Sequence, residues 1–208
     1  MTKKMYTAEE ETLINQAFQQ GGDVWNNVTL TSIKRKIKSY YRNLNSEQCC
    51  YCRRDLQDEF NLVIDIEHIL PKGKEQFRNL MFEIENLNIS CKRCNMNIKN
   101  DNTDFIVDIN NILPDFKHSN KYHIIHPNFD NYFHNIDYEA TIRNNKKLIK
   151  YVPKTNKGQY TYKYFKLDKI EIDTLSIAQG VNIEDNSNLS NLIDNDSRNT
   201  FEELIKRI

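Results

Sequence analysis

Two C-x-x-C pairs, CCYC at Cys49–Cys52 and CKRC at Cys91–Cys94, stand 38 residues apart in this chain. Each pair supplies two thiols at zinc-knuckle spacing, while Cys50 lies outside the pattern. Four thiolates are the tetrahedral ligand set of structural Zn²⁺. Free buried thiols or two disulfides are the alternatives, and the correct spacing of both pairs favours zinc. We therefore predict a closed four-cysteine zinc site (Cys49, Cys52, Cys91 and Cys94) that has a structural role.

The segment between the two pairs contains DIEHILPKG (Asp65–Gly73), in which a single histidine, His68, follows Glu67. Apolar alternation predicts a strand over residues 61–68 that ends at this histidine. IENLNIS predicts a second short strand, and a helix is expected to begin near Asn95. A lone histidine at a strand end is most often structural. Its position between two metal-binding pairs favours a catalytic role instead.

The residues Glu67, His68, Asn86 and Asn95 resemble the HNH nuclease pattern. EHILPK and ENLNISCKRCN are similar to the two halves of that motif in its zinc-clipped form. The resemblance covers residues 49–99 and implies a ββα-metal fold, in which two antiparallel strands and a helix hold one divalent ion. IKRKIKSYYRNLNSEQCCYC and IIHPNFDNYF on either side are similar to the HNH proteins of Septu-type and retron-associated anti-phage systems.

The resemblance implies a role for each residue. His68 would be the general base, Glu67 and Asn95 would hold a catalytic Mg²⁺ or Mn²⁺, and Asn86 would brace the loop and orient His68. Imidazole suits proton abstraction near neutral pH, and hard cations prefer oxygen ligands. The chain departs from the family in having Glu67 where Asp is usual and in placing Lys99 four residues after Asn95 instead of three. As an enzyme, the protein should have His68, Glu67 and Asn95 converging on one solvent-accessible point, and the enzyme interpretation fails if these side chains diverge.

The net charge is zero, but the charges are segregated along the chain. Residues 141–170 hold nine Lys and Arg against one Asp, and residues 171–208 are acidic. A basic segment with aromatic residues is typical of a nucleic-acid surface, and a solvated strand pair is the alternative. Phosphate contacts are expected from Lys72, Lys99, Lys146, Lys147 and Lys150.

The pattern predicts an α+β protein with three parts. These are a helical N-terminal extension (1–45), an HNH core with zinc knuckles (46–105) and a mixed C-terminal extension that packs on the core (106–208).

Two helices are predicted in the N-terminal extension. Thr7 and Glu10 form a capping-box pattern that begins the first helix, and the glycines at 21 and 22 end it. The second helix is predicted over residues 32–43, with these residues on its apolar side: Ile33, Ile37, Tyr40 and Leu44.

The absence of an apolar run and of a leader-like start predicts a cytoplasmic protein without a membrane partner. An aromatic-rich segment also holds three histidines without a ligand signature: His123, His126 and His134. We expect local hydrogen bonds from them. A second metal site is the alternative, with His126 as its leading candidate.

The sequence therefore predicts a metal-dependent HNH endonuclease that nicks or cleaves DNA, with His68 as base. The resemblance implies a role in bacterial anti-phage defence beside a companion ATPase-type protein. The alternative is a non-catalytic zinc-knuckle module that binds nucleic acid or protein. In that alternative, Glu67, His68 and Asn95 have no common function.

Overall fold

The computed structural model describes residues 5–57, 59, 62–143 and 146–173, without the side chains of residues 142, 143, 146, 147, 172 and 173. Most of the acidic segment predicted over residues 171–208 lies outside these residues. The described part is an α+β structure with helices and two small antiparallel sheets. Within it, no helix is long and apolar enough to cross a membrane.

Helix α1 spans Ala8–Gln20, and helix α2 spans Thr31–Leu44. The predicted capping box begins α1, since the Thr7 hydroxyl accepts from the Glu10 amide and the Glu10 carboxylate accepts from the Thr7 amide. Gly21, with φ of 74°, ends the helix in a conformation that favours glycine.

The buried stripe of α2 differs from the prediction at two positions. Ile33 and Ile37 are buried as expected, but Tyr41 completes the stripe. Tyr40 and Leu44, which were predicted on the apolar side, are exposed. Since each residue turns the helix by about 100°, Tyr40 and Leu44 point within about 20° of Ile33, and their exposure follows from what packs on the helix and not from its period.

Strand β1 (Ile64–His68) pairs antiparallel with strand β2 (Leu87–Cys91), in register from Ile64 opposite Cys91 to His68 opposite Leu87. The strand begins three residues later than predicted, because Leu62 is in a turn and exposed. A short π-helix follows β2 over Arg93–Lys99. Its wide turn is seen in the bond from the Asn100 amide to the Asn95 carbonyl.

The C-terminal part contains α3 (Tyr132–Asn135), β3 (Ile136–Arg143), β4 (Lys146–Pro153), α4 (Asn156–Tyr164) and β5 (Ile172–Asp173). The second sheet has the strand order β3-β4-β5. The tyrosine-rich segment at 160–164, considered above as a strand, is the end of α4. Thr155 begins this helix by accepting from the Gly158 amide.

The chain divides into two compact units. One comprises Met1–Glu139 with Lys150–Glu171, and the other comprises Ala140–Ile149 with Ile172–Ile208. In the first unit, Tyr151 is buried and its hydroxyl donates to the Cys52 carbonyl at 2.5 Å. The ring of Phe165 stacks on Tyr51 at 4.2 Å between centroids. Segments from the C-terminal part therefore pack directly on the first cysteine turn.

Candidate functional site

The four paired cysteines come together in the interior. Their sulfur atoms all lie within 4.8 Å of one another, and Cys52 Sγ lies 3.8 Å from Cys91 Sγ. A tetrahedron with Zn–S bonds of about 2.3 Å has S–S edges of about 3.8 Å. All five cysteines are free thiols, so no disulfide competes for these sulfurs. The set fits Zn²⁺, and burial leaves it closed to substrate.

Local backbone geometry shapes this cluster. A turn brings the Arg53 amide to the Cys49 carbonyl, and Arg53 has a positive φ of 54°. The Cys91 amide donates to Cys49 Sγ at 3.4 Å, which stabilises a thiolate there. Cys50 is buried next to the cluster but outside the ligand set, and burial raises the pKa of its thiol. The first pair is therefore held against β2 by the backbone as well as by any bound ion.

His68, at the end of β1, is 6% exposed and lines a cleft in the first unit. Its Nε2 lies 3.1 Å from the Met81 carbonyl, which can only accept, so Nε2 carries the proton. Burial, with a smaller contribution from the charge of Lys72, lowers the pKa of His68 to about 3. The ring is therefore neutral at physiological pH and keeps a lone pair on Nδ1, but in this environment it is a weaker base than the near-neutral imidazole expected from the sequence. Trp25 packs edge-on against it at 4.4 Å between centroids.

Asn86 holds the loop that connects the two strands. Its side-chain oxygen accepts from the Leu70 amide at 2.7 Å, and its nitrogen donates to the carbonyls of Leu70 and Leu80. The Asn86 carbonyl also accepts from the Ile69 amide, next to His68. These bonds fix the backbone on which the histidine is placed.

Glu67 does not face the cleft. Its side chain is 0% exposed, and Oε1 lies 2.7 Å from the Lys99 ammonium, which is itself 1% exposed. The Tyr51 and Ser90 hydroxyls donate to the two carboxylate oxygens at 3.1 and 3.3 Å. Lys99 also donates to the His68 carbonyl at 2.8 Å. In contrast to the expected phosphate contact, Lys99 neutralises a buried carboxylate.

Asn95 does line the cleft, and its partner is Asp65. Asn95 Nδ2 donates to Asp65 Oδ2 at 3.0 Å, and the Lys92 ammonium lies 3.0 Å from Asp65 Oδ1. The sequence interpretation did not single out Asp65 or Lys92. The available signal was the period of two in β1, which places Asp65 on the same face as Glu67.

The cleft that contains His68, Asp65 and Asn95 has a volume of about 1410 Å³. One wall is the polar side of α2. Lys72, predicted as a phosphate contact, lies here with its ammonium 5.7 Å from the centre of the Trp25 ring. Six cations line the cleft, against three carboxylates. The cations are Lys34, Arg35, Lys38, Arg42, Lys72 and Lys92, and the carboxylates are Glu47, Asp65 and Asp101.

The predicted basic surface of residues 141–170 is only partly described. Lys146 and Lys147 lie in β4, and their side chains are outside the described part. Lys150 is half exposed and forms an ion pair with Glu171 at 2.9 Å. Lys150 does not line the cleft.

Comparison with known proteins found a curated protein whose sequence is similar to part of this chain. The chain is 36% identical over 87 residues to the Septu protein PtuB of Bacillus thuringiensis. The match covers 42% of this chain and 30% of that protein, so it spans less than a third of the relative's length. No family model matches the sequence, and no solved structure matches the chain.

The three histidines of the aromatic-rich segment form no metal cluster among the described residues. His123 and His134 are exposed, whereas His126 is buried and stacks on Phe129 at 4.0 Å between centroids. His126 Nδ1 accepts from the Asn128 amide at 3.2 Å. Local hydrogen bonding of the kind expected for this segment is therefore observed at the ring of His126.

Proposed function

We propose that this chain is a metal-dependent HNH endonuclease that hydrolyses phosphodiester bonds of DNA in anti-phage defence. The observation that carries the proposal is His68, neutral and anchored through Nε2, in a cleft lined by Asn95 and six cationic side chains. The β1–β2 hairpin followed by the helix at 93–99 agrees with the ββα-metal arrangement that the resemblance implies.

In this proposal the chain's own residues bind the substrate and move one proton. The lysines and arginines of the cleft attract the phosphate backbone, largely independently of sequence. His68 Nδ1 accepts a proton from a water molecule, whose oxygen attacks the phosphorus and displaces the 3′ oxygen, and that oxygen takes a proton from solvent. A divalent cation, when bound, stabilises the negative charge on the phosphate and leaving oxygen. The products would carry 5′-phosphate and 3′-hydroxyl ends, as the resemblance implies.

The role in defence is supported by the match to the Septu protein and by the similarity of the flanking segments. A companion ATPase-type protein belongs to the same proposal. The Cys₄ cluster would contribute stability alone, since four protein ligands leave zinc no position for water.

The decisive experiment compares cleavage of supercoiled plasmid and single-stranded DNA by the wild type and His68→Gln, with Mg²⁺ or Mn²⁺ and with chelator. The substituted amide can still donate to the Met81 carbonyl, but it provides no base. We expect at least a 100-fold loss of cleavage, within the 10²–10⁴-fold that is typical of a general base. His134→Gln, at an exposed histidine, is the matched control and should cleave normally. Equal cleavage by wild type and His68→Gln would refute the catalytic role.

A non-catalytic zinc-knuckle module is the second candidate. The observation that favours it is the burial of Glu67, which keeps the expected ligand away from the cleft lined by His68 and Asn95. The predicted convergence of the three side chains is therefore not met. In that case the wild type and His68→Gln would bind DNA equally, and neither would cut it under any metal condition.

A further inference from the structure

We propose that Asp65, and not Glu67, is the carboxylate that holds the catalytic divalent cation beside Asn95. The inference rests on the proposed function for the role of that cation. It is supported by the two carboxylates on one face of β1, because Asp65 lines the cleft and Glu67 is buried.

Glu67 does not fit a metal site in this fold. Its two oxygens already accept from Lys99, Tyr51 and Ser90, and the whole group is sealed from water. A divalent ion with its water molecules would have to enter the interior and displace an ammonium that has no exposed surface to move to. Glu67 therefore already has a buried cationic partner, Lys99, which a metal ion would have to replace.

Asp65 has the properties that Glu67 lacks. It is two residues earlier on the same strand face, about 7 Å along β1, and it lines the cleft. Asn95 donates to it through Nδ2, so the Asn95 amide oxygen remains an acceptor. One carboxylate and one amide oxygen in an open cleft are suitable ligands for Mg²⁺ or Mn²⁺, which retain several waters.

The helix that follows β2 explains why the two carboxylates differ. Asn95 and Lys99 are four residues apart on it, and they contact Asp65 and Glu67 respectively. The two contacts therefore lie side by side between strand and helix, one at the cleft and one in the interior. The unusual Asn95–Lys99 spacing, accommodated by a π-helical turn, directs the lysine inward onto Glu67.

The ammonium of Lys92, which pairs with Asp65, can be exchanged for a metal ion. Its ammonium lies 3.0 Å from Asp65 Oδ1, and its side chain is 46% exposed. Unlike Lys99, it can move into water when a stronger cation arrives. Removing Lys92 should therefore tighten metal binding, whereas removing Asp65 should weaken it.

The test is a Mn²⁺ titration of the zinc-loaded full chain, followed by electron paramagnetic resonance, so that the Cys₄ cluster is already filled. We expect Asp65→Asn to weaken Mn²⁺ binding at least tenfold. The double variant Glu67→Gln/Lys99→Met, which removes both charges from the interior, should stay within threefold of wild type. Circular dichroism spectra check that each variant is folded.

Lys92→Ala provides a second measurement that does not depend on the folding of the other variants. It should bind Mn²⁺ at least threefold more tightly than wild type. Lys169→Ala, which removes an exposed lysine next to Asp168, is the matched control and should leave the affinity unchanged. Unchanged or weaker binding by Lys92→Ala would overturn the proposal.

The remaining outcomes separate this inference from the proposed function. Loss of Mn²⁺ binding in Glu67→Gln/Lys99→Met with normal binding in Asp65→Asn would assign the ion to Glu67 and leave the nuclease proposal standing. Absence of Mn²⁺ binding by the wild type would also refute the Asp65 site. Binding that depends on Asp65, in a chain that cleaves no DNA, would support the site and reject the nuclease.

Discussion

The buried pair of Glu67 and Lys99 makes a quantitative prediction for the variant Lys99→Met. Methionine keeps most of the aliphatic volume but leaves the Glu67 carboxylate in the interior without a cation. Removing one partner of a buried ion pair costs about 3–5 kcal/mol. The hydroxyls of Tyr51 and Ser90 still donate to the carboxylate and offset part of this loss. We therefore expect the free energy of unfolding to fall by about 3 kcal/mol.

The assay is urea unfolding of the zinc-loaded chain, followed by the fluorescence of Trp25, the single tryptophan. A loss of about 3 kcal/mol raises the unfolding constant more than about 100-fold. Glu67→Gln/Lys99→Met should recover about 2 kcal/mol of this loss, because no isolated charge remains buried. The neutral amide introduced by Glu67→Gln needs no cation beside it, and its oxygen can still accept from the Tyr51 hydroxyl.

A matched control separates charge burial from the simple loss of a lysine. Lys92→Met breaks the ion pair with Asp65, but that lysine is half exposed and the pair is screened by water. Its removal should cost less than about 1 kcal/mol. The reasoning is refuted if Lys99→Met is as stable as Lys92→Met, or if adding Glu67→Gln gives no recovery.

Three further predictions concern the metal cluster, the cleft and pH. Cys91→Ser should unfold the chain or lose zinc, because binding of structural zinc is coupled to folding. A colorimetric zinc-release assay measures this, and retention of one zinc per chain by the variant would contradict the prediction. Trp25 lies in the cleft beneath the ammoniums of Lys34 and Lys72, so binding of single-stranded DNA should change its fluorescence. The affinity measured in this way should fall as the salt concentration is raised. A salt-independent affinity would exclude phosphate contacts there. Burial lowers the pKa of His126 to about 3, against about 6.5 in the unfolded chain. The unfolded state therefore binds more protons below pH 6.5, and the free energy of unfolding falls as the pH is lowered. The slope of this fall approaches about 1.4 kcal/mol per pH unit. In His126→Gln this component should be absent, and identical pH slopes for the two proteins between pH 6 and 4.5 would show that His126 is not the source.

Local sequence signals determined several parts of the fold. The capping box at Thr7, the glycine after α1 and the two cysteine pairs depend on contacts within a few residues, so spacing alone predicts them. The end of β1 at His68 and the loop-bracing position of Asn86 likewise follow from a short motif. The start of β1 was predicted less well, because Leu62 has strand-like neighbours but no partner strand at that position.

Which side of each element faces water was decided by the tertiary structure. Alternation in β1 puts Asp65 and Glu67 on one face, but it does not say that the helix over Arg93–Lys99 buries Glu67 against Lys99 and leaves Asp65 at the cleft. The same limit applies to α2, whose polar side becomes the wall of a cleft only after it packs beside the β1–β2 hairpin. Sequence spacing thus defined the residue types available for chemistry, such as His68, the four thiols and two carboxylates. Burial, which depends on contacts distant along the chain, determined which carboxylate is paired with an internal lysine and which one remains open to a cation.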